Sequence, residues 1–186
     1  MKRDIQLGID TAGAHLALAL TTREGEILAR GAPRVDRQHA ALIVPHLEAL
    51  LQEGQVDGLR IGRVTVGIGP GSYTGLRVGI AAAQGLASAW RCELNGGCSL
   101  ATLAWGSLPE GATGVAVMDA RRGNVYAATF ERREGTLHVL EEAAKRPRED
   151  VQAAWPDAHW IEDAPPDATW LTSHATPSTP VTPRYW

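Results

Sequence analysis

The sequence predicts an α/β protein made of two β-β-β-α-β-α units, the second of them reduced. Two observations predict it. Leu7-Gly-Ile-Asp10 runs through a turn into a second strand ending at Leu20, and Val115-Ala-Val-Met-Asp119 runs through a turn into a strand ending at Phe130. Strand, terminal aspartate, turn and strand thus occur twice, which is the mark of an internal repeat. Between the copies, the apolar strand Val64–Ile68 crosses a Gly/Pro turn into an Ala-rich helix that runs to about Trp90.

In the first unit, Ile5–Ile9 is a short apolar strand, His15–Thr21 alternates as a second, and Glu26–Arg30 follows the Glu24-Gly25 turn as a third. Gln38–Gln52 has helical period, with Ile43, Leu47, Leu50 and Leu51 on one face. Pro45 falls inside it and should kink it or set its first turn. The next helix takes Ser72 or Thr74 as N-cap. Its interior carries Gly75, Gly79, Ala82 and Ala83 as a stripe of very small side chains. Glycine inside a helix costs about 1 kcal/mol against alanine, so the stripe calls for a compensating contact, the natural one being another backbone packed close. Glu93–Cys98 is a weak strand and Leu100–Leu108 a short helix. Pro109-Glu-Gly-Ala marks a boundary, dividing the chain into a first lobe (1–108) and a second, shortened lobe (109–186).

In the second unit Thr136–Glu141 can be the third strand, Glu149–Trp155 a helix and His159–Ile161 a strand. From Pro147 onward the chain is rich in proline and tryptophan. After Pro165-Pro166 no helical period remains, and Thr176–Pro183 reads as extended or loose.

The chemistry in the sequence is sparse. A formal charge of −3 over 186 residues argues against strong autonomous nucleic-acid binding. The Gly-rich turn is not a P-loop, because no Gly-Lys-Ser/Thr follows it, and Pro70 stands where a dinucleotide fingerprint needs a donor. Asp10 and Asp119 end equivalent strands, where each could hold a metal–phosphate complex or cap its own turn. His39 and His46, two helical turns or roughly 10 Å apart, cannot share one metal. No metal site and no cofactor is expected. Ser72, Tyr73 and Thr74 have no evident base, so no catalytic residue is expected either. Arg121-Arg122, Arg132-Arg133 and Lys145-Arg146 make the second lobe locally basic. Cys92 and Cys98 match no zinc or redox spacing. With no signal-peptide core and no apolar run approaching 18 residues, the expectation is a cytoplasmic protein with no membrane span.

Four stretches carry a family resemblance: Ile9-Asp10-Thr11-Ala12; Arg37-Gln-His39 leading into Leu42-Ile-Val-Pro45; Gly69-Pro-Gly-Ser-Tyr-Thr-Gly-Leu-Arg-Val-Gly79; and Met118-Asp-Ala-Arg-Arg-Gly-Asn-Val-Tyr126. Together they resemble the bacterial TsaB family, also called YeaZ, over about residues 4–130. The resemblance implies an actin/Hsp70-like (ASKHA) fold of two ribonuclease-H-like lobes. It implies a role in forming N6-threonylcarbamoyladenosine at position 37 of tRNAs that read ANN codons. There the family member is a non-catalytic scaffold and activator of the transferase TsaD. The ATPase TsaE joins them, and tRNA is reached only indirectly through the complex.

The resemblance also implies that the two first-lobe helices form a four-helix bundle with TsaD, or with a second copy in a homodimer when TsaD is absent. The expected interface is Ile43, Leu47 and Leu50 with Gly75, Leu76, Val78, Gly79, Ala82, Ala83 and Leu86. Asp10, Thr11, Gly69 and Gly71 would be a vestigial nucleotide site. The chain departs from the family where a long second-lobe helix is missing and Pro180-Val-Thr-Pro-Arg184 only faintly echoes a closing motif. The alternative is a stand-alone ASKHA-type ATPase or phosphotransferase using Asp10 and the Gly67–Gly71 turn.

Overall fold

The computed structural model describes residues 3–174 and 181–184. The expected Thr176–Pro183 segment therefore lies largely outside the described residues. Two sheets form the frame. The first has the order β3-β2-β1-β4-β5, from β1 (Ile5–Asp10), β2 (Ala17–Thr22), β3 (Ile27–Gly31), β4 (Ile61–Gly67) and β5 (Glu93–Gly97). β1, β2 and β3 pair antiparallel, while β4 and β5 extend the sheet in parallel. Such parallel neighbours need helical crossovers. These are α1 (His39–Glu53), followed by a 3-10 turn at Gly58–Arg60, and α2 (Tyr73–Trp90).

The second sheet repeats the pattern in short form. β6 (Thr113–Asp119), β7 (Asn124–Arg133) and β8 (Thr136–Pro147) are an antiparallel meander, and β9 (His159–Glu162) lies parallel to β6 in the order β8-β7-β6-β9. The crossover helix α4 (Arg148–Ala154) has 7 residues against the 15 of α1. Among the described residues no counterpart of β5 joins this sheet. The fold is thus a two-lobed α/β architecture of the ASKHA type with a reduced second lobe.

Burial explains the strand patterns. β1 is buried at all six positions, because both of its faces are covered. Ile5, Leu7 and Ile9 share one apolar cluster with Ile43, Leu47 and Leu50 of α1 and Ile80 and Ala83 of α2. The opposite face meets α5 (Thr169–Ser173), and a Cβ built on Gly8 would lie 2.4 Å from the Ala168 carbonyl oxygen.

Two helices are exchanged between the halves of the chain. α3 (Ser99–Ser107), which precedes the expected boundary, packs its Leu100, Leu103 and Ala104 against Ala116, Ala128, Phe130 and Ile161 of the second sheet. α5, from the C-terminal half, returns to the first sheet with Ala168 and Leu171 against Ala17 and Ala19. Its five residues are little more than one turn, too few to show a period, which is why no helix was expected after Pro166. Pro45 sits in the second turn of α1 rather than the first.

Candidate functional site

A cleft of about 660 Å³ opens between the lobes. Its walls are the β1–β2 turn (Ala12–His15), the entry to α2 (Gly71–Thr74), the end of β6 with Asp119–Arg121, and Asp163 after β9. Both strand-end aspartates line it, and both make the same local turn. Asp10 Oδ1 accepts the Ala12 N–H at 2.9 Å, and Asp119 Oδ1 accepts the Arg121 N–H at 3.0 Å.

Asp10 differs from Asp119 in its depth. It is 2% exposed, and its Oδ2 accepts the Thr102 hydroxyl of α3 at 2.9 Å. Burial pushes its carboxyl above the ordinary carboxylate range, against the pull of the Ala12 and Thr102 hydrogen bonds. Gly67 supplies the room, since a Cβ there would lie 2.4 Å from Asp10 Oδ2. Thr102 was not singled out in the sequence, and at 92 positions from Asp10 no local signal could have paired them.

Of the four expected nucleotide-site residues, Asp10 and Gly71 line the cleft, whereas Thr11 and Gly69 are not among its walls. Thr11 is fully buried and its hydroxyl donates to the Gly75 carbonyl at 2.8 Å, so it faces α2. Gly69 is tied to Ser99, whose Oγ accepts its N–H at 3.3 Å and whose own N–H reaches its carbonyl at 3.0 Å. The turn spends other donors internally as well: Ser72 N–H goes to the Ala12 carbonyl and Gly75 N–H to the Ser72 hydroxyl. Ser72 is thereby the N-cap, as one of the two expected choices.

His15 lines the cleft at 8% exposure, and burial lowers its pKa below the ordinary imidazole value. The His39 ring Nε2–H donates to the His15 carbonyl at 3.1 Å, pinning the start of α1 to the cleft lip. The lips are joined by an ion pair that the sequence reading missed, Arg34 with Asp163 at 2.8 Å. Burial raises the thiol pKa values of Cys92 and Cys98. Among the described residues, no group of three or more His, Cys, Asp or Glu side chains is placed to hold a metal ion.

The structure divides the expected interface residues between the inner and outer faces of the two helices. Ile43, Leu47, Leu50, Gly75, Leu76, Gly79 and Ala83 are all buried within this chain. Amphipathic helices put their large apolar side chains on the sheet, and Ile43, Leu47 and Leu50 do so. Gly75 and Gly79 are small because the β1–β2 turn lies against them: their Cβ atoms would meet the Thr11 carbonyl oxygen at 2.1 Å and the Thr11 hydroxyl at 2.2 Å. Val78, Ala82 and Leu86 are half-buried. The solvent face of α2 is instead Arg77, Ala81, Gln84, Gly85, Ser88 and Ala89, and beside Gly85 the space is open. On α1, Val44 stands 57% exposed.

Comparison with known proteins fits this geometry. Curated relatives include the "tRNA threonylcarbamoyladenosine biosynthesis protein TsaB" of Bacillus subtilis (31% identical over 134 residues, 72% of this chain and 58% of the relative). The Escherichia coli protein of the same name is 38% identical over 138 residues, 73% of this chain and 59% of the relative. The family model described as "TsaD: tRNA N6-adenosine threonylcarbamoyltransferase" matches residues 33–174, most of the chain. The chain belongs to this family, on its TsaB (YeaZ) side.

It spans under two thirds of the length of those two curated relatives. Among solved structures, YeaZ from Pseudomonas aeruginosa superposes with a TM-score of 0.82 at 23% identity, covering 98% of this chain and 100% of that one, which establishes the shared fold. In this TsaB-family chain no helix of the described residues is long and apolar enough to cross a membrane.

Proposed function

We propose that this chain is a non-catalytic subunit in the formation of N6-threonylcarbamoyladenosine in tRNA, acting in the cytoplasm as scaffold and activator of a TsaD-type transferase. The names of its relatives supply the pathway. The observation that carries the subunit role is the outer face of α2. Ala81, Gly85 and Ala89 form an exposed ridge of small residues, flanked by half-buried Val78, Ala82 and Leu86, with exposed Val44 on the neighbouring α1. Small side chains let a partner helix approach closely, and the flanking apolar groups add buried area. TsaD, or a second copy in a homodimer, would fill that face, and TsaE would join the assembly.

The non-catalytic part of the reading is supported by what the cleft residues already do. The Asp10 carboxyl serves the Ala12 N–H and the Thr102 hydroxyl. In the Gly-rich turn, the Gly69, Ser72 and Gly75 N–H groups are engaged within the chain.

The test is molar mass by light scattering, for the protein alone and mixed with the TsaD of its own organism, together with ATP hydrolysis. The expected result is a homodimer that gives way to a mixed complex. Failure to bind TsaD, with ATP hydrolysis that depends on Asp10, would replace this reading by the stand-alone ATPase.

A further inference from the structure

The far end of the first sheet, away from Asp10, carries a second hollow of about 330 Å³. The start of β1, the residue after β2, the start of β4 and the junction of α2 with β5 converge there. Four arginines line it, Arg3, Arg23, Arg63 and Arg91, against two acids, Asp4 and Glu93.

Both acids are already matched. Asp4 pairs with Arg60 at 3.0 Å, and Glu93 with Arg63 at 3.1 Å. Arg63 is further held by a hydrogen bond to Gln6 Oε1 at 3.2 Å. Among the described residues, no carboxylate pairs with Arg3, Arg23 or Arg91, and all three are exposed. Their grouping is built by the fold. A guanidinium N–H of Arg3 donates to the Arg91 carbonyl, and the Arg23 N–H donates to the Asp4 carbonyl at 2.8 Å. At Gly62 a Cβ would lie 2.6 Å from the Arg3 carbonyl oxygen, so glycine there lets the Arg3 backbone lie against β4.

Three unmatched guanidinium groups around one hollow are a local excess of positive charge on a chain whose net charge is −3. Guanidinium forks suit phosphate oxygens, and several at once suit a polyanion. We propose that this hollow takes the phosphodiester backbone of an RNA. The choice of RNA rests on the reading of the chain as a subunit for tRNA modification. It makes the tRNA contact direct, where the sequence suggested only an indirect one.

The probe is fluorescently labelled unmodified tRNA, titrated by anisotropy at two salt concentrations with wild type, with the double variant Arg23→Glu/Arg91→Glu, and with Arg133→Glu/Lys145→Glu, two exposed cations of the second lobe, as a charge-matched control. Far-ultraviolet circular dichroism checks the fold, and light scattering with TsaD runs on the same samples. The double variant is expected to weaken tRNA binding at least tenfold. Its slope of log affinity against log salt should also be lower by about 1.5, as for two lost phosphate contacts. The control should change neither.

No wild-type binding at low salt, or equal losses in the double variant and the control, overturns the proposal while TsaD binding leaves the subunit reading standing. Loss of TsaD binding in the folded double variant assigns the hollow to an acidic protein surface and also overturns it. If the arginines bind inorganic phosphate but tRNA is unaffected by their reversal, the hollow is a small-anion site and the proposal fails. Arginine-dependent tRNA binding without any TsaD binding keeps the hollow and sinks the subunit reading instead.

Discussion

Gly79 and Thr11 touch so closely that a Cβ on the glycine would sit 2.2 Å from the threonine hydroxyl, which itself donates to the Gly75 carbonyl at 2.8 Å. The glycines of α2 therefore hold this chain's own β1–β2 turn. Gly79→Ala is expected to destabilise the protein by about 1–3 kcal/mol through overpacking against Thr11. Gly85→Ala, where nothing lies within 4 Å of the new methyl, should stabilise by about 1 kcal/mol through helix propensity alone. Urea denaturation of both variants checks the pair, and equal signs would contradict the packing described.

Asp10 gives a prediction in pH. Its folded-state pKa lies above the ordinary 3.8, so between the two values the folded state binds more protons than the unfolded one. Stability from this group is present below pH 3.8 and is lost as pH rises through the folded-state pKa. His15 and His174, both lowered by burial, act oppositely, adding stability as pH rises toward 6.5. Subtracting the curve of Asp10→Asn from that of wild type isolates the aspartate. Asn keeps an acceptor for the Ala12 N–H, and its amide can donate to the Thr102 hydroxyl. It should therefore fold, lack the fall with rising pH, and be the more stable form at neutral pH. Asp10→Ala, which leaves the buried Ala12 N–H without its acceptor, should cost about 1–3 kcal/mol.

The proposed partner face can be tested without disturbing the fold. Val44 and Ala81 are exposed, so Val44→Glu/Ala81→Arg should change monomer stability by no more than about 0.5 kcal/mol per site. Association with TsaD should weaken at least tenfold, about 1.4 kcal/mol. Light scattering and calorimetric titration measure it, and unchanged affinity would move the interface elsewhere. A bulky substitution at Gly79 would not test this face, because its damage would fall on Thr11 inside the monomer.

The short helix α5 ties the C-terminal half to the first sheet through Leu171, which is 1% exposed beside Ala17 and Ala19. Leu171→Ala should cost about 2–5 kcal/mol. Its denaturation should show the first sheet losing protection in hydrogen exchange, although the substitution lies in the second half of the chain.

Much of the frame was legible because local chemistry and tertiary structure agree there. The repeated strand–Asp–turn unit, the Ser72 cap and the α1 and α2 periods all rest on neighbours in sequence. The candidate site was less legible. Asp10 could be marked as a strand-end carboxylate, yet its Thr102 partner, the Arg34–Asp163 lip and the arginine hollow join residues far apart along the chain. In the small-residue stripe, Gly75 and Gly79 lie against Thr11, a neighbour far away along the chain. Periodicity says that a face is packed closely and does not say by what.

The sequence by itself determined the order of elements, the doubled α/β unit, the shortened second copy and the family, since these follow from periodicity, capping and motif. Only the tertiary structure decided which surfaces are free. It turned Gly75 and Gly79 inward onto Thr11, left Ala81 and Gly85 outside, and exchanged α3 and α5 between the lobes. Burial is a property of the whole packed chain, set by contacts between segments that the sequence keeps apart.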